Sequence, residues 1–182
     1  MAGDARERSR SYVALLRGIA PANPLMRDTE LRRVLAGLGF EDVRTVASSG
    51  NVLFDTPDAD STALEATIEG AMQLHLGAPC ITIVRSRRRM ERLVTLDVFV
   101  EADGQRGIVT FLKAPSSPGP ELPYEQDGST VLARHDDALF SVVDPSRAPA
   151  ILRWIEREYG TANTTRSWRS VRRIATRLGR DT

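Results

Sequence analysis

Two short apolar stretches, residues 43–47 and 52–56, are separated only by Ser48-Ser49-Gly50-Asn51. Runs this close in sequence have to lie antiparallel, because a parallel pair needs a crossover of about a dozen residues or more. Gly50 and Asn51 are residue types that tolerate positive φ, which a tight hairpin demands. This hairpin is the strongest constraint in the chain. The elements before and after it must thread around two adjacent, antiparallel strands.

Those elements are readable. Residues 11–17, SYVALLR, are apolar and β-rich enough for a central strand. A loop follows, punctuated by Gly18, Pro21 and Pro24. Asp28 is expected to N-cap a helix on which Leu31, Val34, Leu35 and Leu38 recur at one face. Gly39 then suits the left-handed position after a helix end, and Phe40 can pack back on the last turn. A second helix is expected from Ser61, with Leu64, Ile68, Ala71 and Met72 on one side, stopping at Gly77. Residues 80–84, CITIV, make a fourth strand. The order is βαββαβ, a ferredoxin-like α/β plait.

The second half is less regular. Residues 86–96 suggest a short helix carrying Arg87, Arg88, Arg89 and Arg92, and residues 107–113 a strand. Pro115, Pro118, Pro120 and Pro123 exclude a regular helix over most of 114–127. A hairpin is expected around His135-Asp136-Asp137, from 129–133 and 138–143, and helices at 145–159 and 166–178. This order describes a second plait with a Pro-rich loop in place of its first crossover helix. The predicted fold class is α+β: two ferredoxin-like subdomains with antiparallel sheets, the second irregular, closed by C-terminal helices. The expected divisions are a flexible extension at 1–10, a first subdomain at 11–84 and a second at 85–182. No tandem sequence repeat supports the second plait, which rests on element order.

Composition narrows the function. One cysteine, Cys80, rules out an intrachain disulfide and a Cys-rich metal site. Aromatics at 5% are too sparse for a surface that stacks bases along its length. The N-terminus has no apolar h-region, and no apolar run approaches a membrane span, so a cytoplasmic protein without membrane association is expected. Nothing requires a stable oligomer, so a monomer or weak dimer is expected. The net charge of +1 is uneven: residues 162–182 hold six Arg against one Asp, while Lys113 is the only lysine of the chain. Arg-for-Lys bias together with many Ala fits a GC-rich genome and carries no functional weight.

SYVALLRGI, LRRVLAGLGFEDVRTVASSGNVLF and TTRSWRSVRRI together resemble the signature segments of the DUF 1697 family, a bacterial family named for its unknown function. The resemblance runs from Ser11 to about Leu178, and its middle segment is the most specific. It implies two α/β-plait subdomains and supplies no activity, substrate or cofactor. Arg17, Gly18, Ser49, Gly50, Asn51, Arg166 and Trp168 match the family pattern. Family members usually follow the RGI with a Gly-rich loop bearing a Lys. Here Ala20-Pro21-Ala22-Asn23-Pro24 stands instead, and two prolines remove backbone N–H groups that could cradle an anion. Ser167 stands where the family tends to have Asn.

Two candidate surfaces follow. Arg17, Gly18, Ser49, Gly50 and Asn51 could hold a small anionic substrate, as an enzyme or as a binder, although the SSGN turn is first a geometric device. Adjacency of the first strand's end to that turn is not required by the sequence. Along the last helix, Trp168, Val171, Ile174, Ala175 and Leu178 form an apolar stripe. Arg169, Arg172, Arg173, Arg177 and Arg180 occupy much of the rest. Arg166, Trp168, Arg169, Arg172 and Arg173 are the candidates for weak, sequence-independent contact with nucleic-acid phosphates, and Arg85 to Arg92 could extend that surface. The bland alternative is a solvated face. Cys80 reads as a buried thiol, and His75 as a helix-end residue. His135, Asp136 and Asp137 read as a turn, with no metal expected. There is no Walker loop, no GxGxxG, no RNP signature and no Ser/His/Asp motif, so no cofactor is implied and no catalytic residue is named. The leading reading is a non-catalytic binding or regulatory module.

Overall fold

The computed structural model describes residues 10–20, 22–47, 50–58, 60–96, 98–99, 106–114 and 119–179. The expected extension before residue 10, together with Pro21, Ser48, Ser49, Pro115, Pro118 and Arg180, lies outside them. The described chain divides into two compact units, residues 10–93 with 173–179 and residues 94–172.

In the first unit the elements are β1 (Arg10–Leu16), a 3₁₀ turn (Pro24–Met26), α1 (Asp28–Ala36), β2 (Glu41–Thr45), β3 (Asn51–Thr56), α2 (Ser61–Leu76) and β4 (Thr82–Ser86). The helix α3 (Arg87–Thr95) follows β4 directly. The sheet order is β2-β3-β1-β4, with every neighbour antiparallel. Tyr12, Ala14 and Leu16 of β1 pack with Leu31 and Leu35 of α1, with Leu64, Ile68 and Met72 of α2, and with Phe54 of β3. Phe40 stacks on Phe54 at 4.4 Å between centroids, which ties the chain after α1 to the sheet. Val13 and Leu15, on the opposite face of β1, are also fully buried. A strand buried on both faces reads as a continuous apolar run, which is why SYVALLR does not alternate.

Several boundaries differ from expectation. Asp28 is the first helical residue of α1, not its cap; Arg27 is the N-cap and makes no side-chain cap bond. Asp28 and Glu30 instead place negative charge in the first turn, which the helix dipole favours. Strand β2 begins at Glu41, two residues early, because Asp42 at φ +46° carries a register shift between Glu41 and Arg44. Strand β4 begins at Thr82, so Cys80 lies just before it rather than in it. The edge of β4 is closed from α2: the N–H groups of Thr82 and Val84 donate to Glu69 Oε1 and Glu65 Oε1, both at 2.9 Å. Carboxylates placed this way deny the edge to another strand.

The second unit contains β5 (Arg106–Leu112), β6 (Tyr124–Gln126), β7 (Ser129–His135), β8 (Ala138–Val143), α4 (Ala148–Tyr159) and β9 (Asn163–Ser167). The last helix, α5 (Trp168–Leu178), starts there and runs past the boundary between the units. The sheet order is β6-β7-β8-β5-β9, again antiparallel throughout. Apart from the edge strand β6, each strand of this sheet holds the place of its counterpart in the first. Between β5 and β7 there is no helix among the described residues, where the first unit has α1 between β1 and β2. Gly119 packs closely: a Cβ added there would run into the Tyr159 ring. Tyr124 stacks flat on Trp154 at 3.9 Å.

Two strands of this sheet are invisible to an apolar-run reading. Strand β6 has three residues, and β9 (NTTRS) has no apolar side chain. Arg166 and Ser167 are therefore strand residues, not the start of the last helix, which begins at Trp168. The register pairs Thr165 with Thr110, and their hydroxyls lie 2.8 Å apart.

Candidate functional site

The end of β1 and the turn before β3 are adjacent. Leu16 N donates to Gly50 O at 2.8 Å, and Leu15 is the register partner of Asn51. Arg17 N donates to Ile81 O at 2.8 Å, and the Cys80 thiol donates to Arg17 O at 3.6 Å. The structure thus brings together Arg17, Gly18, Gly50 and Asn51; Ser49 lies outside the described residues. What they do there is mostly structural. Gly50 has φ +88°, and a Cβ on it would lie 3.1 Å from both Leu16 O and Ile19 Cγ1. Asn51 is not the turn residue expected from its type: positive φ falls on Ala47 (+57°) and Gly50. Asn51 is fully buried in β3, and its amide N donates to Val46 O at 3.1 Å and Ala47 O at 3.5 Å. A side chain committed to closing its own hairpin is not presented to a substrate. Arg17 is half-buried and Gly18 exposed, at φ +79°. Burial pushes the Cys80 thiol up, with Glu69 adding to the effect, which holds it as an unreactive thiol.

The arginine helices are built differently. In α5, Val171, Ile174, Ala175 and Leu178 are buried, while Arg169, Arg172, Arg173 and Arg177 are exposed. Arg169, Arg173 and Arg177 recur at i, i+4 and i+8, one line along the helix with a rise of about 6 Å per step. Those three have no ion-pair partner among the described residues. Trp168 is packed rather than presented, with its ring 5.0 Å from Phe99 and 6.2 Å from Phe140. Arg166 is half-buried on β9, donating to Thr164 Oγ1 at 2.7 Å and to Thr165 O at 2.9 Å. Burial pushes its pKa down to about 10, still charged at neutral pH.

A repeat appears once the two strand-to-helix junctions are compared. Ser86 caps α3 by accepting from Arg89 N at 3.3 Å, and Ser167 caps α5 by accepting from Ser170 N at 3.2 Å. The residue before each cap is an arginine whose Nη1 donates to the preceding carbonyl: Arg85 to Val84 O at 2.7 Å, Arg166 to Thr165 O at 2.9 Å. Two residues past the cap stand Arg88 and Arg169, and six past stand Arg92 and Arg173. The buried positions match as well, Met90 with Val171 and Leu93 with Ile174. VRSRRRMERL and TRSWRSVRRI are therefore two versions of one element. Sequence comparison missed it because the shared residues are sparse and half of them are arginine, the commonest basic residue of this chain.

Other features are internally satisfied. A groove of about 480 Å³ between α1 and β2 is lined by residues that include Arg32, Arg33, Phe40 and Asp42. Its charges are matched locally, Arg33 with Glu30 at 2.8 Å and Asp42 with Arg44 at 3.0 Å. His75, at the end of α2, lies 2.9 Å through Nε2 from Leu25 O and so ties the 3₁₀ turn to the helix. His135 meets Phe140 edge-on, and Asp136 takes φ +53° in the β7–β8 turn. Among the described residues no group of three or more His, Cys, Asp or Glu side chains is placed to hold a metal ion, and no helix is long and apolar enough to cross a membrane.

The described architecture is of the α+β class, with antiparallel sheets of four and five strands and five α-helices among the described residues. The chain belongs to the family described as "Protein of unknown function (DUF1697)", whose model matches residues 10–140. That match ends within β8, so the segment TTRSWRSVRRI lies beyond it. In fold the chain is similar to the conserved bacterial protein SP0830 from Streptococcus pneumoniae, with a TM-score of 0.73 and 18% identity over 94% of this chain and 99% of that one. At this identity the likeness speaks for the fold alone. No curated protein sequence matches the chain.

Proposed function

We propose that this protein is a non-catalytic module, carried on two ferredoxin-like halves, that holds the phosphate backbone of single-stranded nucleic acid along α5. The observation that supports it is the exposed line of Arg169, Arg173 and Arg177, none of which has an ion-pair partner among the described residues. Guanidinium groups bind phosphate oxygens through paired donors, and a row of them neutralises successive phosphates with release of counterions. Arg172 widens the line. The one aromatic residue of α5, Trp168, is packed against Phe99 and Phe140 and so offers no base a stacking platform, which makes the contact independent of sequence. The alternative, a small anionic substrate at Arg17, Ser49 and Asn51, is disfavoured by the burial of Asn51. A single buried free thiol suits work in the reducing cytoplasm.

The test is binding of a labelled single-stranded RNA over a range of salt. Three phosphate contacts give a log–log slope of about −2, from about −0.7 per contact on a single strand. Arg169→Ala with Arg173→Ala should flatten that slope by about 1.4. No binding at low salt, or a slope that the double variant leaves alone, ends this reading.

A further inference from the structure

Helix α3 carries the same serine-capped, arginine-lined element as α5, which gives the expected extension of the arginine surface by Arg85 to Arg92 a specific form. Arg88 and Arg92 occupy the places of Arg169 and Arg173, four residues apart and both exposed. Arg88 has no ion-pair partner among the described residues. The first turns of both helices carry arginine and no acidic residue, whereas α1 has Asp28 and Glu30 there; Arg92 and Arg177 stand in the last turns, where the dipole favours them. In α3 the first three residues are all arginine. Positive charge at a helix N-terminus costs stability, and a bound anion removes that cost by meeting the arginines and the dipole together.

We infer that α3 is a second contact for the phosphate backbone of single-stranded nucleic acid, centred on Arg88 and Arg92; this rests on the reading of α5 above. The copies are not equal. Glu91 stands where α5 has Arg172, and it holds Arg87 at 2.8 Å. Arg87 also lies 3.5 Å from Gly179 O, the carbonyl just past the end of α5. The α3 contact is therefore the shorter and weaker of the two, with two phosphate partners rather than three or four. What it adds is a second point of attachment, which raises apparent affinity for any strand long enough to use both.

The experiment is amide chemical-shift mapping of the full chain with an oligouridine of about eight nucleotides, the size of one binding site on a small domain. Shifts are expected at residues 88–92 and at 169–177. Arg88→Ala with Arg92→Ala should abolish the first set and leave the second, and Arg88→Lys with Arg92→Lys should retain it. These side chains are exposed, so the unchanged remainder of each spectrum reports that the variants are folded. Shifts confined to α5 overturn the α3 contact and leave the α5 reading standing. Shifts confined to α3 overturn the α5 reading and, with it, the place of α3 as a second contact. Shifts at neither helix end both. Salt dependence quantifies the result: removing both α3 arginines should flatten the slope for a long RNA by about 1.4. An unchanged slope means that the α3 arginines meet no phosphate.

Discussion

The two sheets share one strand order, yet the units around them stabilise that order by different chemistry. In the first, α1 and α2 both pack on the sheet, and a buried carboxylate from α2 anchors the arginine that precedes the serine cap. Glu65 is 3% exposed and Arg85 6%, with Nη1 and Oε1 3.4 Å apart. In the second, the buried positions Ile151, Ile155 and Tyr159 of α4 repeat the spacing of Leu64, Ile68 and Met72 in α2. That alignment puts Leu152 where Glu65 stands. One unit buries a charge pair where its second crossover helix meets its last strand, and the other has, at the aligned helix position, a leucine packed against its core cluster. The comparison teaches that strand order survives exchange of a polar anchor for an apolar one, and also a connection with no helix among its described residues in place of α1.

The sharpest way to break the comparison is to remove the carboxylate. Glu65→Ala strands Arg85 in a buried site and frees the N–H of Val84, and it should cost about 3–5 kcal/mol in urea unfolding. Leu152→Ala, at the matching place, removes only a half-buried apolar side chain and should cost about 1–2 kcal/mol. Equal losses would show that the Glu65–Arg85 pair is not the anchor.

Next come the crossovers. Gly119→Ala drives a methyl group into the Tyr159 ring and should cost about 1–3 kcal/mol by overpacking. The same change at Gly70, inside α2 with nothing within 4 Å of the new Cβ, should stabilise by about 0.5–1 kcal/mol. Thermal melts of the two variants should therefore move in opposite directions. If Gly119→Ala melts like the parent, the loop does not seat on α4 as described.

A smaller effect tests the repeat itself. Ser86→Ala and Ser167→Ala each delete one N-cap bond and should each cost about 1 kcal/mol. Similar losses support two versions of one element. A loss at only one cap would mean that the likeness of the junctions is confined to sequence.

These contrasts also explain what was legible in the sequence. The first unit could be read because its central strands β1 and β3 are apolar and its turns carry Gly in the left-handed region, as at Gly39 (φ +85°) and Gly77 (φ +68°). Strand β9 could not: its pairing with β5 holds it at the sheet edge, and its own residues are Asn, Thr, Thr, Arg and Ser. Tertiary pairing overrode local pattern there. The role of Asn51 was misread because asparagine suits both a turn and a buried hydrogen-bonding post. Only the backbone shows that Ala47 takes the positive φ. Glu65 was passed over because a lone carboxylate on an amphipathic helix looks solvated until its strand partner is known. The arginine face of α5 was legible from spacing alone, while its repetition in α3 emerged from the two caps.

The last contrast concerns the connections from β3 to α2 and from β8 to α4. In the first unit Asp60 caps α2 by accepting from Thr62 N at 2.9 Å. In the second, Asp144 accepts from Ser146 N at 2.8 Å and also from the Ser146 hydroxyl at 2.6 Å. That hydroxyl, then the backbone N–H, then Arg147 hold the Asp144 carboxyl below its ordinary range. A folded pKa below the unfolded value of about 3.9 gives a stabilising contribution that is present above that value and is lost as pH falls through the folded one. The effect therefore belongs to acid below about pH 4, and at an exposed turn it is small. Ser146→Ala keeps the backbone donor and removes the larger cause, so a carboxyl NMR titration should show the Asp144 pKa rising toward about 3.9. Ser146→Thr, which keeps a hydroxyl, should hold it down. If alanine leaves the titration unmoved, the hydroxyl does not set this turn, and the two connections differ less than their bond lengths imply.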